Sequence, residues 1–151
     1  MRLPIQVQII VFRKVNNSYE FLLLKRIPEK GGFWQAITGG LEDGESIERA
    51  IMREIKEESQ ITEIKRLIKK VDFHQFESQT HKEPKGIWLS EFVFGAEVDK
   101  NTEVNISNNI YKEHTEFKWC TFEEALELLK WDSNKESLEK LNNILINKTL
   151  L

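Results

Sequence analysis

The chain has 151 residues, enough for one domain with a substantial core and too few for two ordinary ones, so a single domain over residues 1–151 is expected. Hydrophobic residues make up 40% and charged residues 31%, and no apolar run approaches the roughly 20 residues of a spanning helix, which excludes a disordered chain and a helical membrane protein. A net charge of −3 speaks against a nucleic-acid polymer as partner, and a lone cysteine, Cys120, behind an N-terminus that alternates rather than running solidly apolar points to a reducing cytoplasm.

Residues 5–13, IQVQIIVFR, alternate Gln with aliphatics and then turn apolar, the pattern of a strand half buried at its start and more deeply buried later. Asn16, Asn17 and Ser18 read as a hairpin turn into a second strand, Phe21 to Ile27. Pro28, Gly31 and Gly32 break that strand, and a short apolar piece from Phe33 runs into Gly39-Gly40, which reads as a tight glycine turn. Ser46 is a good N-cap, and Ile47, Ala50, Ile51 and Ile55 then share one stripe, so the spacing predicts a helix from about Ser46 to about Ser59. Residues 61–76 read as one or two strands, 78–86 as a polar loop containing His81, and Ile87 to Val98 as the strongest strand in the chain. The Asn-rich stretch from Asp99 to Asn109 reads as a surface loop or long hairpin tip, and Glu113 to Trp119 as a short strand. A capping box of Thr121 and Glu124 opens a helix to about Lys130, and Ser133 to Lys148 forms a terminal amphipathic helix. Strands interleaved with helices predict an α/β (α+β) fold with a central mixed sheet between helical layers.

The chemistry concentrates in residues 38–61. Glu54, Glu57 and Glu58 are spaced i, i+3 and i+4, which stacks like charges on a helical face unless a cation sits among them. Carboxylates one turn apart can share a hard divalent cation such as Mg²⁺, which prefers carboxylate oxygens and water. Glu57 and Glu58 are the expected principal ligands, with Glu54 one turn earlier as a third. A solvated acidic helix paired with Arg53 and Lys56 leaves the glycines ahead of it unexplained.

The same stretch fits G-x5-E-x7-R-E-U-x-E-E-x-G-U, with U aliphatic, through Gly39, Glu45, Arg53, Glu54, Ile55, Glu57, Glu58 and Ile61, and in this it resembles the Nudix hydrolases. Gln60 stands where that pattern has its second glycine, and a left-handed Gln costs roughly 1 kcal/mol more than Gly. The resemblance implies a Nudix-type α/β/α sandwich, Mg²⁺ with Mn²⁺ as a substitute, a small-molecule phosphoanhydride as substrate, and a backbone carbonyl at Thr38 or Gly39 that completes the metal site. It also implies that Glu45 and Arg53 brace the site through a salt bridge while Gly39 makes room.

The flank FWQAITGGLEDGE, the pair Glu113-His114 ahead of Trp119, and Trp131 with Ser133-Asn134 resemble the Nudix subgroup that cleaves dihydroneopterin triphosphate in bacterial folate synthesis. A flat pterin stacks on an aromatic ring and is hydrogen-bonded at its edge: Trp34, Phe76 and Trp88 are the candidates for stacking and Gln35 for the hydrogen bonds, with Phe76 and Trp88 more readily expected as core residues of their strands. A purine stacks equally well, which keeps (d)NTPs and dinucleoside polyphosphates as alternatives. Lys25 and Arg26, on opposite faces by alternation, are candidates for a phosphate contact, and Glu113, ahead of Glu116, is the candidate for a general base far downstream of the box. A catalytically silent binding module is the reading from another class, and the intact carboxylates count against it. His74, His81 and His114 lack zinc-site spacing, and Cys120 reads as a small buried residue.

Overall fold

A computed structural model of the chain describes residues 2–77, 86–107, 109 and 112–147. The expected polar loop over 78–85, with His81, and the expected helix end at Lys148 lie outside the described residues. Seven strands form one mixed sheet: β1 (Arg2–Val15), β2 (Ser18–Arg26), β3 (Trp34–Gln35), β4 (Ile37–Glu42), β5 (Arg66–Glu77), β6 (Trp88–Val98) and β7 (His114–Cys120). The order is β3-β2-β1-β6-β5, with β4 also paired to β1 and β7 to β2. Only β1 and β6 run parallel; the other pairs are antiparallel. β1 is longer than residues 5–13, and Asn16 and Asn17 (φ 50° and 67°) close its hairpin in the left-handed region, which Asn tolerates well.

Helix α1 (Ile47–Ser59) covers one face of the sheet, and α2 (Phe122–Leu128) and α3 (Asp132–Ile146) cover the other. The period of two along each strand sorts the core. Val7, Ile9, Val11, Leu22 and Leu24 meet Ile51 and Ile55 of α1, whereas Ile10, Phe12, Phe21 and Leu23 meet Ala125, Leu138, Leu141 and Leu145. Burying each such side chain is worth about 1.5–3 kcal/mol, so strand parity is strongly enforced, and it decides which polar side chains share the α1 face.

Several expectations from the sequence are corrected. Gly39 and Gly40 are not a turn: they lie within β4, with Gly39 opposite Val7, and the chain turns afterwards at Gly44 (φ 77°). Residues 66–77 form one strand with an irregularity between Ile68 and Asp72, where Lys70 has φ 60°. Phe76 and Trp88 are not core residues; they are 37% and 61% exposed, because the far end of the β5–β6 pair runs past the helices that cover the rest of the sheet. Gln8 is fully buried rather than half-buried, its amide donating to the buried Glu91 carboxyl at 2.9 Å. The Asn-rich loop is attached to the helix layer: the Asn105 N–H donates to the Ser59 carbonyl at 2.9 Å, and Val104 and Ile106 pack on the α1-side core.

At the end of α1, Gln60 takes the left-handed conformation a glycine would supply (φ 64°, ψ 12°), and both its backbone N–H and its side-chain amide donate to the Lys56 carbonyl. Gln60→Gly is expected to raise stability by up to about 1 kcal/mol in a denaturant melt.

Asp72 seats α3 on the sheet. Its carboxylate accepts from Ser137 Oγ, Lys140 Nζ and the Phe73 N–H, each at 2.8 Å. Burial alone would raise its pKa, but the Lys140 and Ser137 hydrogen bonds outweigh it and hold Asp72 below 3.8. A depressed carboxylate stabilises the fold at pH above its unfolded value and loses that contribution as pH falls through the lower folded one. Asp72→Asn should therefore cost about 1–3 kcal/mol at pH 7, and the gap to the parent protein should close below pH ~4, measured by denaturant melts across pH.

Candidate active site

Ser46 caps α1 by accepting from the Arg49 N–H, and the helix buries Ala50, Ile51, Glu54, Ile55, Glu58 and Ser59. The inward stripe thus includes two glutamates. Glu54 is 8% and Glu58 is 2% exposed, while Glu57 stands at the rim with its side chain 42% exposed. α1 lies so close to β4 that a Cβ on Gly39 would fall inside the Glu54 carboxyl group. Gly39 is required there by that approach, and its φ is ordinary.

One guanidinium ties this corner together. Arg53 donates from Nε and Nη2 to the two oxygens of Glu45 (2.7 and 2.9 Å) and from Nη2 to the Gly40 carbonyl (2.9 Å). Its Nη1 donates to Glu54 (2.6 Å) and lies 3.5 Å from Glu57. Glu45 also accepts from the Glu42 N–H at 3.1 Å and so closes the turn around Gly44. Hydrogen bonding to Arg53 lowers the Glu45 pKa, and the Arg53 pKa rises in return. Burial drives Glu54 the other way: against the pull of Arg53, and helped by repulsion from Glu57 and Glu113, it reaches about 7. Burial, with Glu54 and Glu113 adding repulsion, pushes Glu58 well above the usual carboxylate range.

β7 and β2 complete the cluster. Ligand atoms of Glu58, Glu113 and His114 all lie within 4.8 Å of one another. Burial, with Arg26 and Lys30 nearby, lowers the His114 pKa to about 4. The imidazole is therefore neutral at pH 7, and its 4.0 Å approach to Glu58 is no ion pair. The Gln35 amide nitrogen lies 3.3 Å from the same imidazole nitrogen, and Lys30 pairs with Glu113 at 3.4 Å. Arg26, opposite His114 in the β2–β7 register, has a buried Nε without a hydrogen-bond partner among the described residues.

Parity separates the remaining candidates. Gln35 and Arg26 reach the α1 face, while Trp34 packs against the α2–α3 core and Lys25 pairs with Glu116 at 3.5 Å. Of the two downstream glutamates, Glu113 joins the carboxylate cluster and Glu116 does not. His114, named in the sequence only as part of the Glu113-His114 pair, is brought to the cluster by the register shift between Lys25 and Arg26 that sets it opposite Arg26.

The donor set fits a hard divalent cation. Its acidic ligand atoms are oxygens, they repel one another without positive charge among them, and one buried oxygen of Glu58 has no hydrogen-bond partner among the described residues.

The sequence profile of the NUDIX domain matches residues 4–141. The chain belongs to the Nudix family. It is 26% identical over 144 residues to dihydroneopterin triphosphate diphosphatase of Escherichia coli K12, covering 91% of each chain. A Listeria monocytogenes structure described as a Nudix hydrolase matches with a TM-score of 0.83 at 29% identity over 97% of each chain. The Ap4A hydrolase of Caenorhabditis elegans matches with a TM-score of 0.74 at 25% identity, over 94% of this chain and 97% of that one. The chain spans only 35% of the length of another relative, an octanoyltransferase of Myxococcus xanthus, to which it is 32% identical over 135 residues. As a Nudix protein it is a hydrolase of phosphoric anhydrides, and Nudix hydrolases generally work with divalent metal ions.

Gly39→Ala is expected to cost about 1–3 kcal/mol in stability, because Glu54 and α1 must retreat from β4, and to lower turnover at least tenfold through the displaced carboxylate. Denaturant melts and steady-state rates on the same preparation check both.

Proposed function

We propose that the chain is a Mg²⁺-dependent pyrophosphohydrolase whose preferred substrate is dihydroneopterin triphosphate. The observation that carries the reaction is Glu58: a carboxyl group that is 2% exposed, one oxygen of which has no hydrogen-bond partner among the described residues, set beside Glu54 and Glu113. Such an arrangement costs stability for as long as its charges are uncompensated. Glu57 and Glu58 hold the ion, with Glu54 as the third carboxylate. The Thr38 carbonyl joins them. Gly40 turns its carbonyl out of the β1 ladder to Arg53, and carbonyls two residues apart in a strand point the same way, so Thr38 rather than Gly39 offers an oxygen on that edge. When bound, the ion screens anhydride oxygens and acidifies water.

The other residues act on substrate and solvent directly. Arg26, a cation on the α1 face whose Nε has no hydrogen-bond partner among the described residues, takes a phosphate oxygen. Glu113 accepts the proton of the attacking water, whose oxygen bonds to an anhydride phosphorus as the bridging P–O bond breaks and pyrophosphate leaves. Glu45 and Arg53 hold β4, the turn and α1 in register. The pterin preference is supported by Gln35, which reaches the α1 face beside His114, and by an alignment with the Escherichia coli enzyme that covers 91% of each chain. Support for a nucleotide comes from the Caenorhabditis elegans Ap4A hydrolase at 25% identity, and a substrate screen separates the two.

Purified protein should release pyrophosphate from dihydroneopterin triphosphate with Mg²⁺ at a kcat/KM about tenfold or more above that for any dNTP or dinucleoside polyphosphate; a reversed order overturns the pterin assignment. EDTA should stop turnover. Glu57→Gln should lower kcat by about a hundredfold or more while the far-ultraviolet circular dichroism is unchanged, and unaltered turnover in that variant would remove Glu57 from the metal site.

A further inference from the structure

Beside the carboxylate cluster the α1 face carries a groove of about 600 Å³, walled by the loop Thr102 to Ser107 on one side and by Phe117 and Trp119 of β7 on the other. No residue of this groove belongs to the site described above, yet the two are continuous. The Asn105 N–H is bonded to the carbonyl of Ser59, the residue next to Glu58, so the groove wall hangs from the last turn of α1. Leu24 pairs with Gln35 on one side and with Phe117 on the other, which sets Gln35, Leu24 and Phe117 in one row across the sheet. Two strand spacings make that row about 10 Å long, from the His114-bound Gln35 to the Phe117 ring.

The two rings differ in availability. Arg13 covers Trp119, its guanidinium 4.2 Å from the ring centroid while it also pairs with Glu20 at 2.7 Å. Trp119 is thereby a fixed wall. Phe117 is 40% exposed, a large ring left open to solvent on the face of β7 that it shares with Trp119, while Glu116 and Lys118 lie on the other face. Across from it the exposed Glu103 carboxylate has no ion-pair partner among the described residues. Trp34, the ring the sequence favoured, packs on the opposite face of the sheet.

We propose that this groove is the ring subsite: it takes a planar heteroaromatic group with an amino-pyrimidinone edge, the chemistry shared by pterins and guanine, stacked on Phe117 with its N–H donors directed at Glu103. The proposal deepens the pyrophosphohydrolase reading on which it rests, placing the phosphates at the carboxylate cluster and the ring about 10 Å along the sheet. An acceptor-only carboxylate selects for an edge with two adjacent donors, the ring N–H and the 2-amino group; adenine, whose single amino donor sits beside an acceptor ring nitrogen, is a poorer match.

Calorimetric titration of the full chain with neopterin, guanosine and adenosine, none of which carries phosphate, tests the subsite apart from catalysis. Neopterin or guanosine should bind at least about fivefold more tightly than adenosine; the tighter of the two identifies which ring the groove prefers. Phe117→Ala should weaken that binding about tenfold, and Glu103→Gln should erase the advantage over adenosine. In kinetics, Phe117→Ala should raise KM about tenfold and leave kcat within about twofold. Unaltered affinity in Phe117→Ala, equal binding of adenosine by the parent protein, no binding of any of the three, or loss of binding on Trp34→Ala instead would each overturn the subsite. A screen in which no triphosphate is hydrolysed while neopterin or guanosine still binds through Phe117 would remove the catalytic reading and leave the subsite standing.

Discussion

The structure depends on the single guanidinium of Arg53. It is the only group described that touches β4, the turn after it and α1 at once, through Gly40, Glu45, Glu54 and Glu57. Each of those contacts is charge-assisted or made to a carbonyl at the open edge of β4, and Arg is suited to the task because its planar fork donates in several directions without losing its charge. Without that cation, α1 would bring three carboxylates toward a strand edge with nothing to offset them. Lysine, with one donor point, could not hold two oxygens of Glu45 and the Gly40 carbonyl together.

The site nevertheless remains underneutralised. Arg53 satisfies Glu45 fully and Glu54 in part, and leaves Glu58 to burial and repulsion, as the opposite shifts of Glu45 (down) and Glu54 and Glu58 (up) record. The division of labour follows from depth. The outer carboxylate is used as a brace because it is paired at little desolvation cost, and the inner ones are held near a point where an added dication replaces their protons. On the proposed reading, stability given up at the inner positions is what suits them to a cation.

Much of this was legible before any coordinates. The start of α1 at Ser46, its inward stripe and the Thr121–Glu124 capping box follow from local chemistry that tertiary structure did not override. Gly39 was legible as necessary, but for the wrong reason: two adjacent glycines look like a turn, and only the packing of α1 on β4 shows that the missing Cβ makes room for Glu54. Trp34 and Lys25 fall on the other face by parity, since a stacking residue and a phosphate-binding one are indistinguishable from core and surface residues until the strand's face is known. Phe117 was beyond reach, and so was the place of His114 in the cluster, because both owe their position to the register of β7 on β2, a contact across more than 80 residues of chain. Phe76 and Trp88 failed in the opposite sense: their strands are apolar enough to look buried, and the sheet simply outruns its helices there.

The bond from the Asn105 N–H to the Ser59 carbonyl has a thermodynamic consequence. It joins the last turn of α1, which carries Glu58, to the loop that walls the groove beside Phe117. The two ends of the proposed site share one mechanical joint, and if both are occupied linkage makes their coupling reciprocal: by whatever factor a cation at the glutamates favours a ring in the groove, the ring favours the cation by the same factor. On that reading a hydrolysed product, separated into a phosphate part and a ring part, would hold the joint from neither end as firmly as the intact substrate from both, so that the chemistry itself would loosen the grip on what it has made.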